Sequence, residues 1–354
     1  MKITKSLENS FSYLVAAVLA ITVALLVSSA LLFWQGISPW NTFVALFRGA
    51  FYGMGNFGAS LVVSTPLLLA ALGIMLAFRA GIFNIGAEGQ LFVGAMVGTF
   101  VGVRFTGLPM VIHLPLALAA SMAAGALWAL IPAYLKVKKG FNEVITTILM
   151  NYIAIFLVNY SVHSFLNDVG TYAPQSPPVA PSAQLPRLMA GTELHAGILV
   201  ALLAAFVLHI MFKRTDYGYQ IKVIGSNLHA GRTAGMNSNR ILILTMLFSG
   251  GLAGLAGGVE ILGNQHLLLE NFLLNTGYDA IAVALLGGLS PLGVVIAAVF
   301  LGSLRNGAIT MQIFMGIPVT IIFIIQAIII LCVLGFANYK FDLRRIFERV
   351  GGKS

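Results

Sequence analysis

The stretch "RAGIFNIGAEGQLFVGA" (79–95) sets Asn84, Glu88 and Gln90 among Gly81, Gly86 and Gly89, between two apolar runs. Carboxamides both donate and accept hydrogen bonds, and a carboxylate accepts them or carries a proton. These groups suit either of two tasks: binding a neutral, hydroxyl-rich solute, or relaying a proton through Glu88. Asn84 and Glu88 are four apart and share a face wherever the segment is helical. The glycines loosen helical structure, which at membrane depth is tolerated only against protein or a water-filled cavity. The structural alternative is that Glu88 pairs with Arg79 or caps a broken helix end. A second polar set lies in "GFNEVITTILMNYIA" (140–154), where Glu143, Thr147 and Asn151 recur at i, i+4 and i+8 and form one stripe. Asn151 and Tyr152 fall well inside an apolar run. An amide there either bonds across to another helix or lines a solute pathway. Asn142 and Glu143, beside "KVKK", read as a helix cap.

No catalytic inventory accompanies these residues. The chain lacks H-E-x-x-H, G-x-S-x-G and any pairing of aspartates within its apolar runs. It also lacks G-x-x-x-x-G-K-[ST], so it does not hydrolyse ATP by a phosphate-binding loop of its own. No His/Cys/Asp spacing suggests a metal site. The one cysteine, Cys332, excludes disulfides within the chain and a thiolate cluster.

The elements that must position the polar residues are membrane helices. Of the 354 residues, 59% are hydrophobic and 9% charged, with mean hydropathy +0.95. Soluble domains carry about 25% charged residues. The net charge of +9 sits in short clusters between apolar segments, which points to membrane topology and away from nucleic acid. We place spans near 12–34, 60–78, 89–104, 110–135, 143–162, 195–212, 240–262, 278–289, 292–304 and 316–336. The expected fold class is all-α integral membrane with about ten transmembrane helices (8–10). The pair at 278–304, divided by "LSP", is two short spans or a re-entrant hairpin. The first apolar run, about 22 residues after Lys2 and Lys5, is too long for a signal-peptide core and reads as a retained helix. With both termini cytoplasmic, 16 Lys and Arg lie inside and four (Arg48, Arg104, Arg187 and Arg305) outside. The chain reads as a single membrane domain, 1–354. It comprises an N-terminus 1–11, a bundle 12–336 with an external loop 163–194 and a cytoplasmic loop 213–240, and a basic tail 337–354.

The external loop contains "YAPQSPPVAPSAQLP", proline-rich and therefore extended; it is a linker or a docking surface for an external partner. Asn41–Gly58, aromatic with glycine, reads as one interfacial helix. The cytoplasmic loop spaces Gly225, Ala230, Gly231, Ala234 and Gly235 so that another protein's backbone could approach closely. In "SGGLAGLAGG", Gly250, Gly254 and Gly258 make small-xxx-small steps, a pattern for close helix packing. Glu260 and His266 lie near the external end, facing a receptor or a vestibule. His209, late in an apolar span, reads as a packed histidine.

These residues resemble a family. "GIFNIGAEGQLFVGA" (81–95), "GFNEVITTILMNYIA" (140–154), "IGSNLHAGRTAGM" (224–236) and "AVALLGGLSPLGVVIAAVFLG" (282–302) are similar to the ABC-importer permeases of the branched-chain amino acid, ribose and simple-sugar superfamily. Within it they resemble the nucleoside and simple-sugar branch, in order from about 60 to 336. The resemblance implies a permease subunit of the bacterial inner membrane, with no cofactor of its own. It would pair with itself or a companion permease on cytoplasmic ATP-binding subunits that carry ATP and Mg. An external binding lipoprotein or periplasmic receptor would deliver a nucleoside or simple sugar. Gly225, Asn227, Ala230, Ala234, Gly235 and Met236 match the segment that docks on the ATPase. Asn84, Glu88, Gln90, Asn151 and Tyr152 are the candidates for the substrate pathway. The competing class is an ion-coupled carrier using Glu88, Glu260 and Asp279 as titrating carboxylates. A weak internal echo, "GIFNIGAEGQLFVGAMVGTFVG" against "GYDAIAVALLGGLSPLGVVIAAVFLG", fits repeat-built transporters of either mechanism. A passive channel would carry polar stripes on several helices, which this chain does not.

Overall fold

The computed structural model describes residues 22–317 and 319–337. The expectations for the N-terminal residues 1–21 and for the basic tail beyond 337 lie outside the described residues. The described chain is helical, with no strand and two isolated bridges among the described residues. It divides into two compact units, Ala50–Asn306 and Met1–Gly49 with Gly307–Ser354.

In the second of these, α1 (Thr22–Trp34) and α2 (Pro39–Phe51) meet at 120°. Gly49 lies on Thr310 and Gly307 on the Leu46 carbonyl, contacts only glycine permits. α13 (Val319–Ala337) is apolar apart from Thr320 and Gln326. The interfacial helix expected over Asn41–Gly58 is interrupted. α2 stops at Phe51, and Gly53 takes φ +85° as it opens the next helix. A left-handed residue breaks the helical run, and glycine adopts it at little cost.

The larger unit is built around α3 (Gly53–Arg79), α4 (Ala87–Arg104) and α10 (Ser238–Glu260), which are buried along most of their length. Helices apolar or small all round belong in the interior. α5 (Met110–Lys139), α6 (Glu143–His163) and α7 (Gly197–Arg214) are buried on one side only. On α6 the inward stripe is Thr147, Asn151, Ala154, Val158 and Ser161, and Leu149, Tyr152, Ile153, Phe156 and Tyr160 are exposed. The remaining helices are α8 (Asp216–Ser226), α9 (Leu228–Thr233), α11 (Thr276–Leu286) and α12 (Pro291–Met315).

Glycine sets the helix spacing. Gly94 abuts the Gly254 backbone, Gly257 the Leu91 carbonyl, and Gly73 the Ser249 carbonyl. Gly250 and Gly254 lie against Gly125 of α5, and Gly258 against Ser121. α10 is therefore clamped between α4 and α5 with almost no side-chain volume in the seam.

Among the described residues six helices are long and apolar enough to span a membrane: α3, α5, α6, α7, α10 with its extension to Gln265, and α12. The bent pair α1–α2 would make a seventh. Two of the expected spans, 89–104 and 278–289, are not among them, for local reasons. α4 carries Glu88, Gln90 and Arg104, and α11 has only 11 residues. The 278–304 segment is unequal: a short α11, a turn at Gly287–Ser290, then an α12 of 25 residues that runs on to Met315.

The segment 164–196, expected to be extended, is extended but pinned to the bundle. Ala180 N donates to Gly102 O, Leu185 N to Leu262 O (2.7 Å) and Val179 N to His266 O (2.8 Å).

The seam generates a test. A β-carbon at Gly254 would fall 2.8 Å from the Gly125 Cα and closer still to the Ser121 carbonyl. Gly254→Leu is expected to destabilise by about 1–3 kcal/mol or more, the range for overpacking. Gly55→Ala, where nothing lies within 4 Å, should not destabilise. Thermal unfolding of the purified protein in detergent distinguishes them; equal midpoints would refute the clamp.

Candidate functional site

In the turn between α3 and α4, Ile82, Asn84 and Gly86 are buried, while Gly81 and Phe83 are exposed. Asn151, eight residues into α6 and thus about 12 Å along it at 1.5 Å per residue, holds the turn from the side. Its Nδ2 donates to the Ile85 carbonyl (2.9 Å) and its Oδ1 accepts from Gly89 N (2.8 Å). Gly89 is the third residue of α4, so Asn151 supplies a cap from another helix. Gly86, at the N-cap position, has no side chain to give one. Gly89 must be glycine for this approach: a β-carbon there would sit 2.9 Å from the Asn151 Cα.

Asn84 and Gln90 form a reciprocal amide pair. Asn84 Nδ2 donates to Gln90 Oε1 (2.9 Å), and Gln90 Nε2 donates to Asn84 Oδ1 (3.0 Å). Asn84 also donates to Ser249 Oγ of α10 (2.8 Å) and accepts from Gly86 N (3.0 Å). Asn84, Glu88, Gln90 and Asn151 are all buried.

Glu88 does not pair with Arg79, whose guanidinium lies 4.5 Å over the Phe212 ring. Instead its carboxylate caps α11. Oε1 accepts from Asn275 N and Oε2 from Gly277 N, both at 2.6 Å. These are orphan amides at a helix N-terminus, where the macrodipole favours an anion. Gly277 lets the helices meet, since a β-carbon would fall 2.5 Å from the Glu88 Cα. Asn151 joins the same contact by donating to Tyr278 Oη (3.0 Å).

The chain leading into α11 is irregular. The π-helical turn Ile261–Gln265 extends α10, and His266, Asn271, Leu273 and Asn275 then take left-handed backbone, φ 59°, 52°, 58° and 69°. Each costs of order 1 kcal/mol or more for a non-glycine residue. Below the cap, Arg305 of α12 pairs with Asp279 (2.8 Å) and donates to Thr276 Oγ1 (3.2 Å). From sequence, Asp279 reads only as a titrating carboxylate and Arg305 only as an external basic residue, and Tyr278 and Ser249 carry no signal of a role. A signal was present: Thr276 and Asp279 fit the [ST]-x-x-[DE] helix-start pattern. Both side chains are taken by Arg305, and Glu88 does the capping in their place.

The structure thus brings Asn84, Glu88, Gln90 and Asn151 into one node but leaves Tyr152 out. Tyr152 is 56% exposed on the outer stripe of α6.

The small-residue segment lies at the C-terminal end of α3, on the outer side of the same turn. It is two helices, α8 and α9, joined at Asn227, whose Oδ1 accepts from His229 N (2.9 Å) and Ala230 N (3.1 Å). Gly225 lies directly on the Arg79 carbonyl and near Gly81, so α8 abuts the turn that carries Asn84. Ala230, Ala234 and Gly235 are exposed, and Met236 N closes the turn onto Gly231 O (3.0 Å). Gly235 takes φ +76° with nothing within 4 Å. Its left-handed backbone is by itself a reason for glycine, apart from any packing against a docked partner.

Residues 56–334 match the family described as branched-chain amino acid transport system / permease component. The chain belongs to this permease family. It is 39% identical over 344 residues to the guanosine ABC transporter permease protein NupP of Bacillus subtilis, covering 96% of this chain and 98% of that one. It is 35% identical to the glucose ABC transporter permease protein TsgB13 of Haloferax volcanii (94% and 90% covered). It is 32% identical to the nucleoside ABC transporter permease protein NupB of Lactococcus lactis (92% and 91%). No solved structure matches the chain. The protein is a multi-pass membrane permease component.

The Glu88 cap generates a prediction. Glu88→Gln keeps one acceptor for two amides and loses a charge-assisted bond, a cost of about 1.5–3 kcal/mol. It should retain measurable uptake with lowered thermal stability. Glu88→Leu strands both amides and should lose folded protein or uptake outright. Equal stability of the two variants would rule out the cap.

Proposed function

We propose that this chain is the membrane-spanning subunit of an ATP-driven importer for a nucleoside, with a simple sugar as the alternative solute. The observation that carries the reading is the near full-length similarity to the guanosine permease. The chain has no phosphate-binding motif, so ATP and Mg belong to cytoplasmic subunits docked on the exposed face of α8–α9. The excess of Lys and Arg at that end sets it in the cytoplasm by the positive-inside rule. The segment 164–196 then faces outward, where a soluble or lipid-anchored receptor delivers the solute. A second permease subunit, identical or not, completes the membrane portion in the bacterial inner membrane.

The solute path runs beside the Glu88 node. Irregular backbone such as 266–275 is tolerated at membrane depth only against protein or a watery cavity. Asn84, Gln90 and Asn151 spend their hydrogen bonds on one another and on the backbone. They accordingly build the path's wall, and the solute is recognised by neighbouring groups. The ion-coupled reading fits less well. Glu88 is held by two amides, Asp279 by Arg305 and Glu260 by Asn264 and Gln265, so each of the three carboxylates that reading needs is already engaged.

The test is nucleoside accumulation in vesicles containing the assembled importer, with ATP available to the ATPase and a protonophore present. Uptake should persist. Ala230→Trp, on the exposed face of α9, should abolish uptake and ATPase stimulation while the protein still inserts and unfolds normally. Gly235→Trp should do the same, with added backbone strain. Collapse of uptake under the protonophore with ATP plentiful would overturn the ABC reading.

A further inference from the structure

The end of the bundle covered by the segment 164–196 holds polar atoms that the Glu88 node does not use. α10 leaves the α-helical register there. The π-turn Ile261–Gln265 inserts an extra residue, a feature that concentrates at functional sites. It ends on His266, left-handed at φ 59° without being glycine or asparagine. Glu260 anchors the turn by accepting from Asn264 Nδ2 (2.8 Å) and Gln265 Nε2 (3.2 Å). With its amide nitrogen committed, Gln265 presents Oε1 as an acceptor, and that buried oxygen has no partner among the described residues.

His195 comes from the other side, two residues before α7. Its Nδ1 accepts from Gly197 N (3.1 Å). An accepting Nδ1 fixes the neutral imidazole with its proton on Nε2. Burial first, and His266 second, hold the pKa of His195 down to about 4, in keeping with that neutral ring. The residue is 1% exposed, and its Nε2 proton has no acceptor among the described residues. The ring rests on the π-turn: a β-carbon at Gly263 would fall 2.5 Å from Nδ1, so glycine there lets the histidine reach. His266 adds a third buried, unpartnered atom, Nδ1.

A buried donor, a buried acceptor and a ring nitrogen that takes either role are thus gathered on the π-turn. Leaving such atoms unmatched costs about 1–3 kcal/mol each. Asn264, Gln265 and His266 are only half-buried, so the turn that carries the cluster lies near the surface at that end. The carboxylate of Glu260 is already engaged, and neither ring carries a fixed charge, so the set does not suit an ion. It suits hydroxyl groups, each of which donates and accepts.

We propose that His195, Gln265 and His266 form a subsite for the vicinal hydroxyls of the transported solute at the outward mouth of the permease. This rests on the import reading above and adds how the solute's sugar moiety is recognised. His195 Nε2 donates to one hydroxyl and Gln265 Oε1 accepts from the next. The base of a nucleoside is not read here, so ribonucleosides differing in the base share the subsite.

The experiment uses the complete importer in vesicles, with receptor saturated by guanosine or by 2′,3′-dideoxyguanosine, so that receptor affinity drops out of the rate. The wild type should move guanosine about tenfold faster than the dideoxy solute. His195→Phe keeps a planar ring and should lower the guanosine rate to the dideoxy rate, so that the ratio of the two falls to about one. Gln265→Met, at a half-buried position, should narrow the ratio in the same direction and serves if His195→Phe fails to assemble. A wild type that moves both solutes equally, or variants that leave the ratio intact, would mean the atoms hold water only and would overturn the subsite. A wild type that accumulates neither solute would overturn the nucleoside reading, and the subsite with it.

Discussion

Two backbone amides and one carboxylate organise the middle of this protein. Glu88 is buried, and a buried charge costs several kcal/mol unless it is fully met. Here it is met by Asn275 N and Gly277 N at the start of α11, with the helix dipole adding to the attraction. The arrangement satisfies both parties. α11 begins in mid-bundle after an irregular stretch, where its first amides would otherwise have no partner. Asn151 repeats the device one helix over by capping α4 from α6. Two helix starts inside the bundle are therefore each capped by a side chain from a neighbouring helix, and through them α6, α4 and α11 are fixed at one level.

Such caps operate only over short distances, and glycine supplies the distance. Gly277 and Gly89 allow the backbones of α11 and α6 to approach the α4 start, and Gly94, Gly254 and Gly257 draw α10 onto α4. In lipid there is no hydrophobic drive between helices, so close backbone packing and polar bonds carry association. The chain uses both in one place. Ser249 on α10 accepts from Asn84, and its carbonyl meets Gly73 of α3. A single residue thus joins the glycine seam to the polar node.

The sequence made some of this legible, for definable reasons. A helix stripe is a local pattern, so Thr147 and Asn151 could be read as one inward face, and Gly250, Gly254 and Gly258 as a packing ridge. The caps could not be read, because Glu88 and Gly277 are 189 residues apart and nothing local announces their meeting. The offered pairing of Glu88 with Arg79 followed sequence proximity. In the fold, Arg79 has reached the end of α3 and lies on Phe212. Tyr152 sits next to Asn151 in sequence, but one residue is about 100° of helix rotation, enough to move it from the interior to the exposed stripe. Span counting met the same difficulty. The residues that make α4 interesting, Glu88 and Gln90, also remove it from the set of helices apolar enough to cross by composition.

The position of Gly225 links the two ends of the proposed machine. With α8 seated on the Arg79 carbonyl and beside Gly81, no side chain cushions the contact. A push on α8–α9 from a docked partner would be delivered to the α3–α4 turn. That turn is short and doubly tied: Asn84 binds Gln90 and Ser249, and Ile85 is held by Asn151. Packed interiors transmit strain poorly by stretching and well by switching between discrete arrangements. Within reach of the turn, the left-handed run leading to Asn275 is the element whose backbone stores strain, and the Glu88 carboxylate holds its last residue. Movement of the turn would thus be felt first at the Glu88 cap, and release or re-forming of that cap would move the entry to α11. A carboxylate suits the task because its two oxygens can exchange amides one at a time, keeping the charge partly met throughout.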